Sequence, residues 1–192
     1  MQPFVHLHVH SQYSVLDGQA SIAAIVDKAI DDGMPAIALT DHGNMFGVKE
    51  FYNYIKKKNG KRKSTAQELE QKIAALADDD PERESKLAEL QAQLDKVKKP
   101  FKPIIGCEMY VARKRLQDKN GKEDQSGYHL VVLAKNEKGY HNLIKLVSKA
   151  WTEGFYMRPR TDRVELEKYH EGLIIASACL GGEVPKKIMN GT

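Results

Sequence analysis

The chain has 192 residues, of which 41% are hydrophobic and 29% are charged, a composition typical of one soluble globular domain. Its first residues lack the basic and apolar regions of a secretory signal, and no apolar run approaches membrane-spanning length. These features argue against a membrane partner and predict a cytoplasmic protein. Cys107 and Cys179 are too few for a disulfide framework and stay available as ligands. The formal net charge of +4 permits an anionic substrate without requiring nucleic acid.

Three histidines alternate with apolar residues near the start of the chain. In a strand, alternate side chains share a face, so His6, His8 and His10 are predicted to lie together. They can be ordinary half-buried histidines, each satisfied by a backbone carbonyl. Three imidazoles on one face are harder to satisfy in that way, whereas a divalent metal binds neutral imidazole directly. The spacing therefore favours a metal site at the end of an N-terminal strand.

A helix and a second strand are predicted next. Ser21 is expected to cap a helix whose apolar residues recur at helical spacing up to Ile30. The apolar run at 36–40 is typical of a strand buried on both faces, and Asp41 and His42 follow it directly. Since strand, helix and strand form a right-handed parallel unit, His42 is expected near the first histidines. Asp41 is expected to ligate or to orient a neighbouring imidazole.

Residues 48–57 are predicted to form a helix that leads into a basic run at 56–63. This run is interpreted as a solvated turn, with contact to a phosphate backbone as the alternative. Residues 64–98 have the composition of an antiparallel helical hairpin inserted into the α/β core, with Asp80 as cap and Pro81 at a first helical position. The hairpin carries no candidate chemistry and is interpreted as a projecting or partner-binding accessory.

Two further strands are predicted in the second half of the chain. Glu108 lies in an otherwise apolar strand over 101–111, where a carboxylate is costly unless it is paired or bound to metal. The apolar run at 128–134 contains His129 at its beginning. Both side chains are therefore candidates for the same site as the first histidines.

A basic loop and a last strand complete the prediction. The segment at 155–163 is equally consistent with solvated surface and with phosphate contact, and its arginines are Arg158, Arg160 and Arg163. A strand is expected over 173–176, with Cys179 just beyond its end, and a helix is expected to begin at 183.

The candidate ligands share a position in strands or at strand ends. They supply nitrogen, oxygen and sulfur, a set that suits Zn²⁺, Fe²⁺ or Mn²⁺ rather than Ca²⁺. More than four ligands imply more than one ion, and two or three closely spaced metals with a bridging hydroxide are the apparatus expected for phosphoester hydrolysis. The candidates are His6, His8, His10, Asp17, His42, Glu108, His129 and Cys179.

Several short motifs carry a family resemblance. They are His8-Val9-His10-Ser11, Leu39-Thr40-Asp41-His42-Gly43, Gly106-Cys107-Glu108 and Ser177-Ala178-Cys179-Leu180, together with His129. This pattern resembles the PHP (polymerase and histidinol phosphatase) family. The segments at 14–18, 41–47, 135–140 and 176–182 are similar to the PHP domains that begin bacterial replicative polymerase alpha subunits.

The resemblance implies an α/β fold, a distorted (β/α)7-type PHP barrel over residues 1–192 with the hairpin at 64–98 inserted in it. It implies that His6 and Asp41 lie beside the ligands or in the cleft. The family closes its site with an Asp-x-His pair on a later strand that this sequence does not reach, so an incomplete barrel from a longer polypeptide is expected. The implied catalytic residues are His8, His10, Asp17, His42 and Glu108, and the metal ligands are these five with His129 and Cys179.

Three functions follow from the resemblance. The first is a metal-dependent phosphodiesterase with two or three Zn, Mn or Fe ions, a candidate 3′–5′ proofreading exonuclease in DNA replication. The second is a structural or partner-docking module of the polymerase with little hydrolytic activity. The third is a free-standing phosphatase, which the polymerase-like segments disfavour. The implied partners are DNA, the remainder of the polymerase alpha subunit and other replisome subunits, and the parent chain is expected to be a DNA-directed DNA polymerase.

Overall fold

The computed structural model describes residues 4–77, 81–125 and 127–191. Within these ranges the chain has an α/β fold, with strands in one open sheet and helices packed against it. The strands are β1 (Ala36–Leu39), β2 (Lys102–Val111), β3 (Tyr128–Ala134), β4 (Arg160–Thr161) and β5 (Leu173–Ala176). The helices are α1 (Ile22–Asp31), α2 (Val48–Ala74), α3 (Arg83–Val97), α4 (Gly121–Asp124), α5 (Glu137–Thr152), α6 (Arg163–Lys168) and α7 (Glu183–Asn190).

The sheet is organised around β2, its longest strand. β1 runs parallel to the first part of β2, with Ala36 opposite Lys102, and β3 runs antiparallel to the second part, with Gly106 opposite Leu133. β4 is parallel to the end of β2, and β5 is antiparallel to β3. β1 and β5 are the edges of this order. The described sheet is not closed, which fits an incomplete barrel, and the (β/α)7 arrangement stays a prediction.

The N-terminal segment is extended, but the prediction of a regular strand there was wrong. Ala38 N donates to His6 O at 3.0 Å, and Thr40 N donates to Val9 O at 2.9 Å, so the segment runs alongside β1. One residue lies between the two donors and two residues lie between the two acceptors, and the chain bends at Leu7. This extra residue breaks the alternation of faces between His6 and the later histidines.

Two groups of apolar side chains form most of the core. The first lies between α1, α2 and β1, and the second lies where α5 packs on β2 and β3. The predicted cap of α1 is confirmed, since Ser21 Oγ accepts a hydrogen bond from Ala24 N at 3.2 Å. Asn136 likewise caps α5 by accepting from Gly139 N at 2.9 Å. Within the described ranges, no helix is both long and apolar enough to cross a lipid bilayer.

The helix predicted to end near residue 57 continues to Ala74, so the turn predicted at 56–63 was wrong. Lysine and arginine are good helix formers, and tertiary contacts hold this stretch. Lys58 Nζ lies 2.7 Å from Asp27 Oδ1, and Arg62 Nη2 donates to Lys99 O at 3.1 Å. The basic run is therefore one continuous part of α2.

α3 packs against α2 as the second arm of a hairpin, with Leu69 and Leu94 buried. Asp80, the predicted cap, lies outside the described residues. Pro81 lies in a turn rather than in the helix, because α3 begins at Arg83. Helix α2 continues through residue 64 without a break. The prediction that an inserted unit spans residues 64–98 therefore stays a prediction.

The basic segment at 155–163 is not a uniform surface loop. Arg160 lies in β4, is 1% exposed, and donates hydrogen bonds to four backbone carbonyls. Arg163 pairs with Glu183 at 2.5 Å, whereas Arg158 is exposed. The interpretation as a phosphate contact is therefore wrong for Arg160, since its guanidinium is enclosed by carbonyl oxygens.

Candidate metal centre

Glu108 is the carboxylate around which the candidate ligands lie. It is in β2, its side chain is 2% exposed, and its two oxygens face different side chains. Oε1 lies 3.1 Å from His129 Nδ1 and 3.6 Å from His8 Nε2. Oε2 lies 2.9 Å from His10 Nε2 and 3.6 Å from His42 Nδ1. One buried carboxylate therefore contacts four imidazoles.

Backbone pairing beyond the end of β1 brings His42 to Glu108. Glu108 N donates to Asp41 O at 3.1 Å, and Gly43 N donates to Glu108 O at 2.7 Å. His42 and Glu108 consequently form a parallel bridge. The expectation that histidines from distant parts of the sequence meet at strand ends is confirmed for His42.

The hydroxyl of Thr40 sets the orientation of His8. Thr40 Oγ1 lies 2.8 Å from His8 Nδ1 and accepts a hydrogen bond from Val9 N at 2.8 Å. With Nδ1 held in this way, Nε2 is the nitrogen that faces Glu108. Sequence analysis assigned no role to Thr40, although its place at the end of a buried strand is a signal that could have indicated one.

Asp17 enters the cluster from a tight turn. Its Oδ2 lies 2.7 Å from His42 Nδ1 and 3.4 Å from His10 Nδ1. The backbone nitrogens of Asp17 and Gly18 both donate to Ser14 O, at 3.0 and 2.7 Å. The turn therefore places a carboxylate against two of the imidazoles.

Asp41 organises that turn instead of orienting an imidazole. Its Oδ1 accepts from Ser11 N at 2.6 Å and from Ser14 Oγ at 3.3 Å, and its Oδ2 accepts from Ser11 Oγ at 2.9 Å. Ser14 Oγ in turn accepts from His42 N at 2.8 Å. Asp41 is 1% exposed, so its negative charge is held by these hydrogen bonds.

The loop after β5 brings a thiol to the other side of Glu108. Cys179 Sγ lies 3.8 Å from Glu108 Oε1 and 3.4 Å from His129 Nδ1. His129 N donates to Gly181 O at 3.1 Å, which fixes this loop to the start of β3. A Cβ at Gly181 would lie 2.8 Å from His129 Nδ1, so only glycine allows the ring and the loop to approach so closely.

The electrostatics of the cluster favour the metal-binding protonation states of Glu108 and His42, whereas a cation at His10 has to displace a proton. Burial raises the pKa of the Glu108 carboxyl, but hydrogen bonds from imidazoles, first that of His10, hold it well below its ordinary value. The Glu108 carboxylate raises the pKa of His10, although burial acts in the opposite direction. Burial lowers the pKa of His42 despite its acidic neighbours. A charged carboxylate and a neutral imidazole are the forms that bind a divalent cation.

The geometry fits divalent cations, and an unpaired buried atom supports the fit. His42 Nε2 is buried and has no hydrogen-bond partner among the described residues, whereas buried polar atoms are normally paired. The nitrogen, oxygen and sulfur donors suit zinc, iron or manganese. Two groups of side chains have ligand atoms within 4.8 Å of one another, namely His10, Asp17, His42 and Glu108, and Glu108, His129 and Cys179.

The structure brings together the seven side chains that the sequence singled out as ligands, and their roles as ligands and catalytic groups stay predictions. They are His8, His10, Asp17, His42, Glu108, His129 and Cys179. His6 lies apart, exposed on a cavity beside α1. Cys107 is buried, its Sγ donates to Asp41 O at 3.4 Å, and burial raises the pKa of its thiol, so it does not take part.

Tyr110 is a part of the site to which sequence analysis assigned no role. Its ring stacks on the imidazole of His42 with centroids 4.2 Å apart and planes at 14°. Burial raises the pKa of Tyr110 to about 12, so the phenol remains protonated. Its position two residues after Glu108 in one strand is the signal that could have found it, because such residues share a face.

A cleft of about 340 Å³ opens beside Asp17 and His42. Its rim carries aromatic rings, of which those of Trp151 and Phe155 stack with centroids 5.7 Å apart. Trp151 Nε1 donates to Gly43 O at 2.8 Å, which ties α5 to the loop after β1. Arg158 adds a positive charge 5.9 Å from the Tyr110 ring. The cleft can therefore admit an anionic ligand next to the candidate ligands.

Replacing Asp41 with asparagine is expected to destabilise the chain by about 1.5 to 3 kcal/mol, because hydrogen bonds to a charged group are lost in a buried position. The turn that holds Asp17 should loosen as well. Urea unfolding measures the free-energy change, and Asp31→Asn on the exposed end of α1 is the matched control. A loss as small as that of the control would contradict the role assigned to Asp41.

Comparison with known proteins identifies the family of the chain. A family model described as the PHP domain matches residues 6–192, so the chain belongs to the PHP domain family. Several curated proteins to which the chain is similar are named DNA polymerase III subunit alpha. The relative from Borreliella burgdorferi is 43% identical over 97% of this chain, that from Treponema pallidum 40% over 98%, and that from Thermus aquaticus 39% over 97%. The chain spans only 12–13% of the length of these three relatives.

Proposed function

We propose that the cluster around Glu108 binds two or three divalent cations, Zn²⁺, Mn²⁺ or Fe²⁺, and hydrolyses the terminal phosphodiester at the 3′ end of a DNA strand. The observation that carries the proposal is that the two oxygens of one buried carboxylate face two different groups of candidate ligands. Oε2 faces His10 and His42, while Oε1 faces His129, His8 and Cys179. A carboxylate shared in this way suits two neighbouring cations, the usual arrangement for phosphoryl chemistry.

Bound cations would supply Lewis acidity, lowering the pKa of water and neutralising the charge of phosphoryl oxygens. The residues of the chain hold the geometry. Thr40 fixes His8, and the turn held by Asp41 fixes Asp17. Arg158 at the cleft is placed to attract the phosphate, and charge-assisted hydrogen bonds of this kind orient an anionic substrate.

The biological setting is proposed from the relatives. We infer that the chain serves DNA replication as the PHP part of a DNA polymerase III alpha subunit, a DNA-directed DNA polymerase, in the cytoplasm. Its partners are then DNA, the remainder of the alpha subunit and other replisome subunits.

The direct test is release of nucleotides from labelled single-stranded DNA by the purified chain, dialysed and supplied with each metal in turn. We expect mononucleotides from the 3′ end, no release with a chelator, and loss of release in His42→Ala. The control is His141→Ala, which removes an exposed imidazole on α5. Metal binding without release from any DNA end would contradict the hydrolytic proposal and favour a structural module. Faster hydrolysis of a phosphomonoester would favour a phosphatase.

A second candidate function, a docking module of the polymerase, is favoured by apolar side chains that are exposed on β5 and α7. Ile174 and Ile175 on β5 are each 49% exposed, and Ile188 on α7 is 74% exposed. Ile175 lines a cavity together with Leu130 and Leu166, and an apolar group that is open to solvent is typical of a contact surface. The occupant we propose is the remainder of the alpha subunit, and this role is compatible with a hydrolytic site at Glu108.

A further inference from the structure

Two basic segments lie side by side at the base of the hairpin. Residues 56–63 of α2 contain six lysines and arginines, and residues 96–102 contain four lysines, with no aspartate or glutamate in either segment. Asn59 joins them by donating to Phe101 O at 2.9 Å and accepting from Phe101 N at 2.8 Å. Arg62 adds a hydrogen bond to Lys99 O at 3.1 Å. The two segments are therefore held together despite their like charge.

A groove runs between these segments and carries free positive charge. It consists of two adjoining cavities of about 550 and 420 Å³ that share Asn59 and Pro100. Four exposed lysines line it, and none of them forms an ion pair within the part of the chain that the structure describes. Lys58, by contrast, points to Asp27. The lining lysines are Lys56, Lys63, Lys98 and Lys102.

Glu70 is the one carboxylate among the described side chains that line the groove, so positive charge remains in excess. Like charges held close together repel each other and favour an anionic partner. Lys56 and Lys63 are seven residues apart on one helix face, a separation of roughly 10 Å, which spans about three phosphates of one DNA strand. Tyr52 is the exposed ring at this groove, and a single ring does not offer the successive stacking surfaces that single-stranded DNA uses.

We propose that this groove binds the sugar–phosphate backbone of duplex DNA without reading its base sequence. The groove is separate from the metal centre. Lys102 begins β2 and Glu108 follows six residues later, so the two positions are roughly 20 Å apart along the strand. Duplex binding here is independent of hydrolysis at Glu108 and would hold DNA near the chain while a strand end is free to reach the cleft.

The test is fluorescence anisotropy with a 20-base-pair duplex between 50 and 200 mM salt. A variant with all four lysines replaced by glutamine should bind roughly tenfold or more weakly, and its slope of log affinity against log salt should fall by about 3 to 4, near 0.9 for each lost phosphate contact. A variant with arginine at the same four positions should retain the affinity and the slope. The charge-matched control replaces four exposed lysines elsewhere with glutamine, namely Lys114, Lys119, Lys122 and Lys135.

Each result decides the proposal. Unchanged affinity in the glutamine variant, or an equal loss in the charge-matched control, would overturn it, since binding would then follow net charge alone. Tighter binding of a single strand that the same variant abolishes would also overturn the duplex assignment. The glutamine variant should hydrolyse a short single strand as the unmodified chain does, so that failure of hydrolysis and failure of the groove are distinguished.

Discussion

Replacing Glu108 with glutamine is expected to remove bound metal from the chain. The side chain keeps its shape but loses its negative charge, and its amide nitrogen cannot act as a ligand. Because the two oxygens face separate groups of ligands, both groups should be weakened. Loss of a partner that merely orients a ligand costs about 10- to 100-fold in metal affinity, and loss of the shared carboxylate should exceed about 100-fold.

The measurement is metal content per chain after dialysis, supported by thermal unfolding with and without a chelator. Glu123→Gln, an exposed glutamate in α4, is the matched control and should retain the metal. We expect a chelator to lower the unfolding temperature of the control but to leave that of Glu108→Gln unchanged. Full metal content in Glu108→Gln would contradict the shared role of this carboxylate.

Replacing Arg160 with methionine is expected to lower the free energy of unfolding by about 3 to 5 kcal/mol, because four buried hydrogen bonds are lost at roughly 1 kcal/mol each. The guanidinium donates to the carbonyls of Gly154, Asp124, Leu116 and Asp118, at 2.8 to 3.1 Å. Methionine fills part of the volume but leaves these four acceptors unsatisfied, and the lost hydrogen bonds are the main cost.

Urea unfolding tests this expectation. Arg160→Lys should lose less, since an ammonium keeps the charge and supplies up to three of the bonds. Arg158→Ala, two residues earlier and exposed, should change the free energy by less than about 0.5 kcal/mol. Equal stability of Arg160→Met and the Arg158 control would show that the four carbonyls find other donors.

The ligand cluster could be predicted because its members follow a simple rule of position. Side chains at the ends of neighbouring strands meet at one edge of a sheet, and His42 and His129 obey that rule. Glu108 lies inside β2, and it could be singled out because a carboxylate in an apolar strand is costly. Thr40 and Tyr110 share these positions but are not ionisable at neutral pH, so composition alone gave no reason to single them out. The alternation of the first histidines failed for His6, because one extra residue in the pairing with β1 cannot be seen in the sequence.

The basic segments were harder to interpret because charge alone does not say what surrounds it. The run at 56–63 stays helical through contacts with Asp27 and with the backbone near Lys99, which lie far away in sequence. Arg160 is buried because carbonyls of three separate segments converge on it, and no local pattern signals that convergence. Tertiary hydrogen bonding, rather than local propensity, decided both cases.

The free side of β5 has a practical consequence for work with this chain. Within the described ranges β5 pairs with β3 alone, and Ile174 and Ile175, which point to opposite faces, are both half exposed. A strand with unpaired amides and apolar faces can pair with the same strand of another copy of the chain, and this pairing leads to aggregation at high concentration. Lysine at position 174 would place a charge on that edge and should keep concentrated samples monodisperse.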